Sequence, residues 1–228
     1  MILSGILCLV LTVLAYWAAK KLYRFKNIVV LSPLLVTPLL LILFLSVSHI
    51  SYGTYNSGAK WLTAMLQPAT VAFAIPLYKY FQLLKRHAVE ILISVVFGSC
   101  IAILSSVVLA GFVHLNPQMV DSILPRSITT PIAMNVSQTL GGIPTMTAVF
   151  VILTGICGMV IGPFVIRFLQ IRNSIARGVL LGMGAHGAGT SKALELGSIE
   201  GAIASLAMII ASIVTLFIAP LAAPFLVN

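Results

Sequence analysis

The sequence predicts an all-α polytopic membrane protein, and three observations predict it. Of 228 residues, 60% are hydrophobic and 7% charged, where soluble domains carry about 25% charged residues. Mean hydropathy is +1.15. The apolar residues fall into long runs, and crossing the hydrocarbon core takes roughly 20 of them in a helix. The expected architecture is about six full spans plus two re-entrant or broken-helix segments in an inverted repeat. A single transmembrane domain is expected over residues 1–228.

Ile2–Ala19 is the first run and Ile28–Val47 the second, together the N-terminal spans of residues 1–60. The chain is apolar from Ile2 without a basic n-region, so the first run is read as a span and not as an ordinary signal peptide. Trp61–Leu77 is a third, interrupted by Pro68 and Pro76. Pro68 is expected to break it, because proline removes a helical hydrogen bond and disturbs the preceding turn. Val89–Val113 is long and clean, giving a broken helix plus a span over residues 61–114. Leu124–Gly142 is shorter and less apolar. Ile143–Leu169 is another clean span and contains Gly155, Gly158 and Gly162. Gly178–Lys192 is the second short segment, and Ile199–Val227 closes the chain. Cys8, Cys100 and Cys157 all lie in apolar runs, with no metal-ligand spacing, and read as small buried hydrophobes.

The net charge of +9 comes from short loops. Positive-inside orientation and contact with anionic lipid account for it better than nucleic-acid binding. The basic clusters are Lys20, Lys21, Arg24, Lys26; Lys79, Lys85, Arg86; and Arg167, Arg172, Arg177. Placing all three on the cytoplasmic side requires Leu124–Gly142 to dip from outside and Gly178–Lys192 to dip from inside. If both segments span instead, the third cluster lies outside.

The most informative stretch is Gly184-Ala185-His186-Gly187-Ala188-Gly189-Thr190-Ser191-Lys192. Irregular polar backbone survives at membrane depth only where protein buries it or it lines a wet cavity. A broken segment on a solute pathway is therefore expected there. Arg126–Thr139 and Arg177–Thr190 match at a spacing of 51, pairing Ala133 with Gly184, Asn135 with His186 and Ser137 with Ala188. Gly155–Pro163 also parallels Ser212–Pro220. Residues 124–169 and 178–227 would be two oppositely oriented units, each a dipping segment plus a span. That pattern is the signature of secondary transporters, whose site lies at the repeat interface. Chance similarity between small-residue helices is the competing explanation.

Several stretches together resemble the LrgB/CidB family of bacterial membrane proteins. They are Leu66-Gln67-Pro68-Ala69-Thr70-Val71-Ala72 through Pro76-Leu77-Tyr78, and Pro125-Arg126-Ser127-Ile128-Thr129-Thr130-Pro131-Ile132-Ala133. Gly142-Ile143-Pro144, Thr147-Ala148-Val149-Phe150, Ala176-Arg177-Gly178 and Ala185-His186-Gly187-Ala188-Gly189-Thr190 follow in the family's order. Ser191-Lys192-Ala193 departs from a pattern closer to Ala-Arg-Ala but keeps a cation. The resemblance implies a multi-pass protein of the bacterial plasma membrane. It implies either an antiholin-like regulator of murein hydrolase export and autolysis or a carrier of a small carboxylate. A related plastidal translocator moves glycolate and glycerate, and some bacterial pairs are linked to pyruvate. It also implies a small LrgA/CidA-like membrane partner. Homo-oligomerisation is expected as another source of a scaffold.

A small carboxylate needs cations or N–H donors in a confined place. Thr129, Thr130 and Pro131 would expose donors at a broken helix. Asn135 and Gln138, at i and i+3, share a helical side and can donate to a carboxylate, or glue helices together. Gly187 and Gly189 offer backbone access, Thr190 a hydroxyl, and Thr70 a hydroxyl at the third break. His186 can bind the solute, couple a proton or be a satisfied core residue. Lys192 can neutralise the solute, pair with Glu195 or snorkel. Arg126 at an outer edge and Arg177 at an inner edge are gates or interfacial anchors. No activated nucleophile, metal set or phosphate loop is recognisable in the sequence, so no enzyme, metal or cofactor is expected.

Overall fold

The computed structural model describes residues 2–25, 31–65, 68, 71–72 and 74–226, with the side chains of 2–4 and 223–226 excepted. Every regular element among them is a helix. Four are long and apolar enough to cross a bilayer, over Gly5–Phe25, Ala88–Phe112, Pro144–Phe168 and Ser198–Ala222. Pro33–Val47 is apolar but shorter. The chain divides into two compact units, Met1–Ala74 and Ile75–Asn228.

The first unit holds α1 (Ile2–Phe25), α2 (Pro33–Val47) and α3 (Tyr52–Ala64). Helix α1 runs past the expected end at Ala19 and includes Lys20, Lys21 and Arg24 of the basic cluster. Lys20 lies over the Tyr16 ring and Lys21 over the Trp17 ring, at 6.0 and 5.4 Å. These i,i+4 pairs carry the helix onward. Helix α2 opens with Ser32 as N-cap and Pro33 in the first turn, the usual order at a helix start. Small residues let α1 and α3 approach closely: a Cβ on Gly58 would collide with the Gly5 carbonyl. The Thr12 and Tyr55 hydroxyls share a hydrogen bond of 3.2 Å.

The third expected span is not one helix among the described residues. Helix α3 begins at Tyr52 and ends at Ala64, and α4 covers Ala74–Lys79. Pro68 is exposed. Thr70 and its neighbours Leu66, Gln67, Ala69 and Phe73 lie outside the described residues.

In the second unit, α5 (Phe81–Arg86) leads into α6 (Ala88–Phe112). Next come α7 (Pro117–Ile123), α8 (Thr130–Leu140), α9 (Pro144–Phe168), α10 (Ser174–Leu196) and α11 (Ser198–Leu226). The segment expected to dip, Leu124–Gly142, is a turn followed by α8. Gly141 ends α8 at φ 96°. The next two residues fold back, with Gly142 N–H donating to Ser137 O and Ile143 N–H to Ser122 Oγ. Thr147 Oγ1 then donates to Ser137 Oγ at 2.7 Å, so α8 and α9 run side by side. Eleven residues rise about 16 Å, which sets the start of α8 near mid-length of α9. Leu124, Pro125 and Ile128 are fully buried, so protein encloses this tip.

Helix α10 is longer than the expected Gly178–Lys192 segment and is packed by glycines on both sides. A Cβ on Gly158 would lie 3.0 Å from Gly184 O, and one on Gly182 would lie 2.6 Å from Ala204 Cα. The second contact is backbone against backbone and has nothing soft in it. Gly182→Val is therefore expected to cost about 1–3 kcal/mol, a fall of roughly 2–12 °C in Tm. Thermal unfolding of the purified protein in detergent measures this. An unchanged Tm would contradict the α10–α11 packing.

Candidate functional site

The site is a meeting of two chain interruptions on one turn of α9. The first is the tip before α8. Thr129 is its N-cap residue, with no side-chain capping bond, and Pro131 lies in its first turn. Thr129 and Thr130 are half-buried. The first N–H groups of a helix lack internal partners and carry partial positive charge.

Arg126 precedes the start of α8 by four residues. It was expected at an outer edge, and its side chain reaches across to α6 and α9. Its Nε donates to Ser106 Oγ at 2.8 Å and its Nη2 to Ser105 Oγ at 3.3 Å. Nη1 is 3.5 Å from Thr154 Oγ1. Arg126 follows the Asn116–Asp121 loop closely in sequence, but the chain turns after α7 and brings the side chain to Ser105, Ser106 and Thr154. Both serines donate their own protons to the Ala102 carbonyl, at 3.0 and 2.7 Å. Their lone pairs are thereby left for the guanidinium.

No acidic side chain neutralises Arg126. The sequence has four acids. Glu90 contacts His87, Glu195 contacts Lys192 and Glu200 contacts Arg177. Asp121, the fourth, makes no ion pair among the described residues. Burial pushes its carboxyl above the usual carboxylate range, the opposite of what a neighbouring guanidinium does.

The second interruption is His186. It has φ 39° and ψ −124° inside α10, the conformation of the first central residue of a type II′ turn, where glycine is usual. Such backbone costs about 1–3 kcal/mol in a non-glycine residue. The ring is buried, and Nε2 lies 3.0 Å from the Val151 carbonyl. That contact requires the proton on Nε2 if the imidazole is neutral. The ring packs on Gly155, where a Cβ would come within 2.7 Å of Cε1. Thr190 Oγ1 donates to the His186 carbonyl at 2.9 Å, so the break satisfies itself one turn on. Gly189 meets the Leu181 carbonyl across the break. Gly184 and Gly187 have open space where a Cβ would stand.

Val151, Thr154 and Gly155 lie on one side of α9, at i, i+3 and i+4. Thr154 is ten residues into α9, about 15 Å along it. The structure thus brings Arg126 and His186 to one turn, with Thr129, Thr130 and Thr190 on the interrupted segments beside them.

Other expected residues stand apart. Asn135 and Gln138 are exposed on α8, and neither side chain has a hydrogen-bond partner among the described residues. Lys192 Nζ is 2.6 Å from Glu195 Oε2, the pairing alternative. Arg177 Nε donates to Ile171 O at 2.7 Å, and Nη1 is 3.9 Å from Glu200. It ties the α9–α10 loop to α11. Ser105, Ser106 and Thr154 were not expected at the site. Adjacent hydroxyls in an otherwise apolar run were the available signal.

The LrgB-like family profile matches residues 12–225. The chain is 58% identical to "Uncharacterized protein YwbG" of Bacillus subtilis (strain 168), over 98% of each chain. It is 40% identical to "Uncharacterized protein YxaC" of the same strain, over 95% of this chain and 94% of the relative. It is 33% identical to "Antiholin-like protein LrgB" of Bacillus cereus (strain B4264), over 96% of this chain and 95% of the relative. No solved structure matches the chain significantly. With a profile match over nearly its whole length and full-length relatives of that name, this all-helical membrane protein belongs to the LrgB-like family.

Proposed function

We propose that the chain is a secondary transporter of a small monocarboxylate, pyruvate, glycolate or a close analogue, across the bacterial plasma membrane. The observation that carries this reading is the convergence of Arg126 and His186 on Val151–Gly155. A helix tip and a broken helix meet about 15 Å along a membrane-length helix. Interrupted helices at the midplane are how secondary transporters expose donors to a solute. The α8–α9 and α10–α11 pairs are the two inverted units of this proposal. One bundle rocks or moves past a scaffold supplied by a second copy or by an LrgA/CidA-like partner. Thr129, Thr130, His186, Gly187, Gly189 and Thr190 line the path. Arg177 acts as an inner gate or anchor. The chain performs no enzymatic step and needs no cofactor.

The name "Antiholin-like protein LrgB" of the Bacillus cereus relative favours a second reading, a regulator of murein hydrolase export and autolysis. The two readings part on the interior. Cells lacking the chromosomal copy would be complemented with wild type or His186→Gly. Labelled pyruvate and glycolate uptake and hydrolase release would both be measured. A carrier loses uptake in the variant. A regulator shows no uptake in either strain, and the variant still restrains hydrolase release.

A further inference from the structure

We infer that Arg126 is the carboxylate-anchoring residue of this path, and that Ser105, Ser106 and Thr154 position its guanidinium to receive a small anion. This rests on the transport reading and adds which group meets the charge.

Ser105 lies seven residues before the end of α6 and Thr154 ten residues after the start of α9. These are about 11 and 15 Å along the two helices. A full charge at that depth is costly, and in membrane proteins it faces an interior or a wet path and finds a partner.

The partners found here do not cancel the charge. Three hydroxyl oxygens accept from the guanidinium, and hydroxyls are neutral. All four acidic side chains are placed elsewhere. A cation that served only to pin helices would be cheaper as a neutral donor, because burying an unpaired charge is strongly unfavourable. An anion that arrives and leaves accounts for a charge with no resident counter-ion.

The donor count fits the same ligand. A guanidinium has five N–H groups. Nε has one, and it goes to Ser106. Nη1 and Nη2 each have two, and each makes one contact, to Thr154 and Ser105. One N–H remains on each terminal nitrogen, with no acceptor among the described residues. Those two N–H groups are left for the oxygens of an incoming carboxylate. The serine protons are already given to Ala102 O, so the serines hold the arginine and do not compete for the anion. The start of α8, four residues on, adds partial positive charge near it.

One guanidinium matches the single charge of the monocarboxylate proposed above.

The test uses the full chain in nanodiscs, with labelled pyruvate and labelled glycolate as probes. Equilibrium binding is measured for wild type, Arg126→Gln, Arg126→Lys and Ser106→Ala, and uptake is measured on the same preparations in liposomes. The expected result is saturable binding to wild type, weakened about tenfold or more in Arg126→Gln. Arg126→Lys keeps the charge without the guanidinium and should lie between them. Ser106→Ala should weaken binding a few-fold. Equal binding by wild type and the folded Arg126 variants overturns the inference, as does the absence of binding of either acid to wild type. Uptake by wild type that Arg126→Gln retains would leave the carrier reading standing without this anchor. Binding lost in Arg126→Gln, with no uptake by wild type, would support the anchor and count against the carrier. If Arg126→Gln does not fold, Arg126→Lys and Ser106→Ala carry the same comparison.

Discussion

His186→Gly is expected to be more stable than His186→Ala, by about 1–2 kcal/mol. Inside an ordinary helix the order is the reverse, with glycine about 1 kcal/mol worse than alanine. The inversion follows from the backbone, since φ 39° and ψ −124° suit glycine and strain every residue with a Cβ. Both variants lose the ring and its contact with Val151 O. Only alanine keeps the strain. Chemical or thermal unfolding of the two variants measures the difference. Both should lose uptake by about tenfold or more, the loss expected when a buried hydrogen-bonding group is removed from a solute path. An alanine variant as stable as the glycine one would mean that residue 186 is not held in this conformation. A histidine retained at a position that suits glycine is, on this account, there for its ring.

The second large effect is at Gly155. A Cβ there would lie 2.7 Å from His186 Cε1, 3.0 Å from Nε2 and 3.3 Å from Ala188 Cβ. The ring cannot retreat without giving up Val151 O. Gly155→Val is expected to cost about 1–3 kcal/mol by overpacking and to remove most uptake, although valine tolerates a helix interior. The cause can be isolated with a double-mutant cycle. In a His186→Gly background the ring is gone, so Gly155→Ala should cost much less than in wild type. A coupling of about 0.5–3 kcal/mol is expected for residues in such contact. Additive effects would mean that Gly155 does not seat the ring.

The helical membrane class was legible because α6 and α9 are predominantly apolar over 25 residues each, with a charge only in the first turn of one, at Glu90, and the last turn of the other, at Arg167. The interruption of α10 was legible as a region but not as a residue. The glycines of the Gly184–Gly189 stretch pointed to it, yet the unusual backbone falls on His186. Gly189 instead permits close contact across the break, and Gly182 close contact with α11. Composition reports that a break is affordable, while tertiary packing decides where it goes.

The surroundings of Arg126 were illegible for a different reason. Ser105, Ser106 and Thr154 sit singly or in pairs within runs that read as clean spans. A helical serine bonded to a carbonyl in the preceding turn hides its polarity, as Ser105 and Ser106 do at Ala102 O. Such residues barely alter a hydropathy profile. The third run was read as broken at Pro68 and Pro76, and the described residues on either side form separate helices, α3 and α4. The regular helix begins earlier, at Tyr52, where Ser51 accepts from Thr54 N–H and caps it.

Transport by this chain is measured by uptake of labelled pyruvate and glycolate into proteoliposomes. They would hold this chain alone, then with an LrgA/CidA-like partner, under an imposed proton gradient. Wild type and His186→Gly would be compared at equal, folded protein content. The account predicts saturable uptake of at least one acid by wild type, reduced about tenfold or more in the variant. No uptake of either acid by folded wild-type protein, with or without the partner, would contradict it.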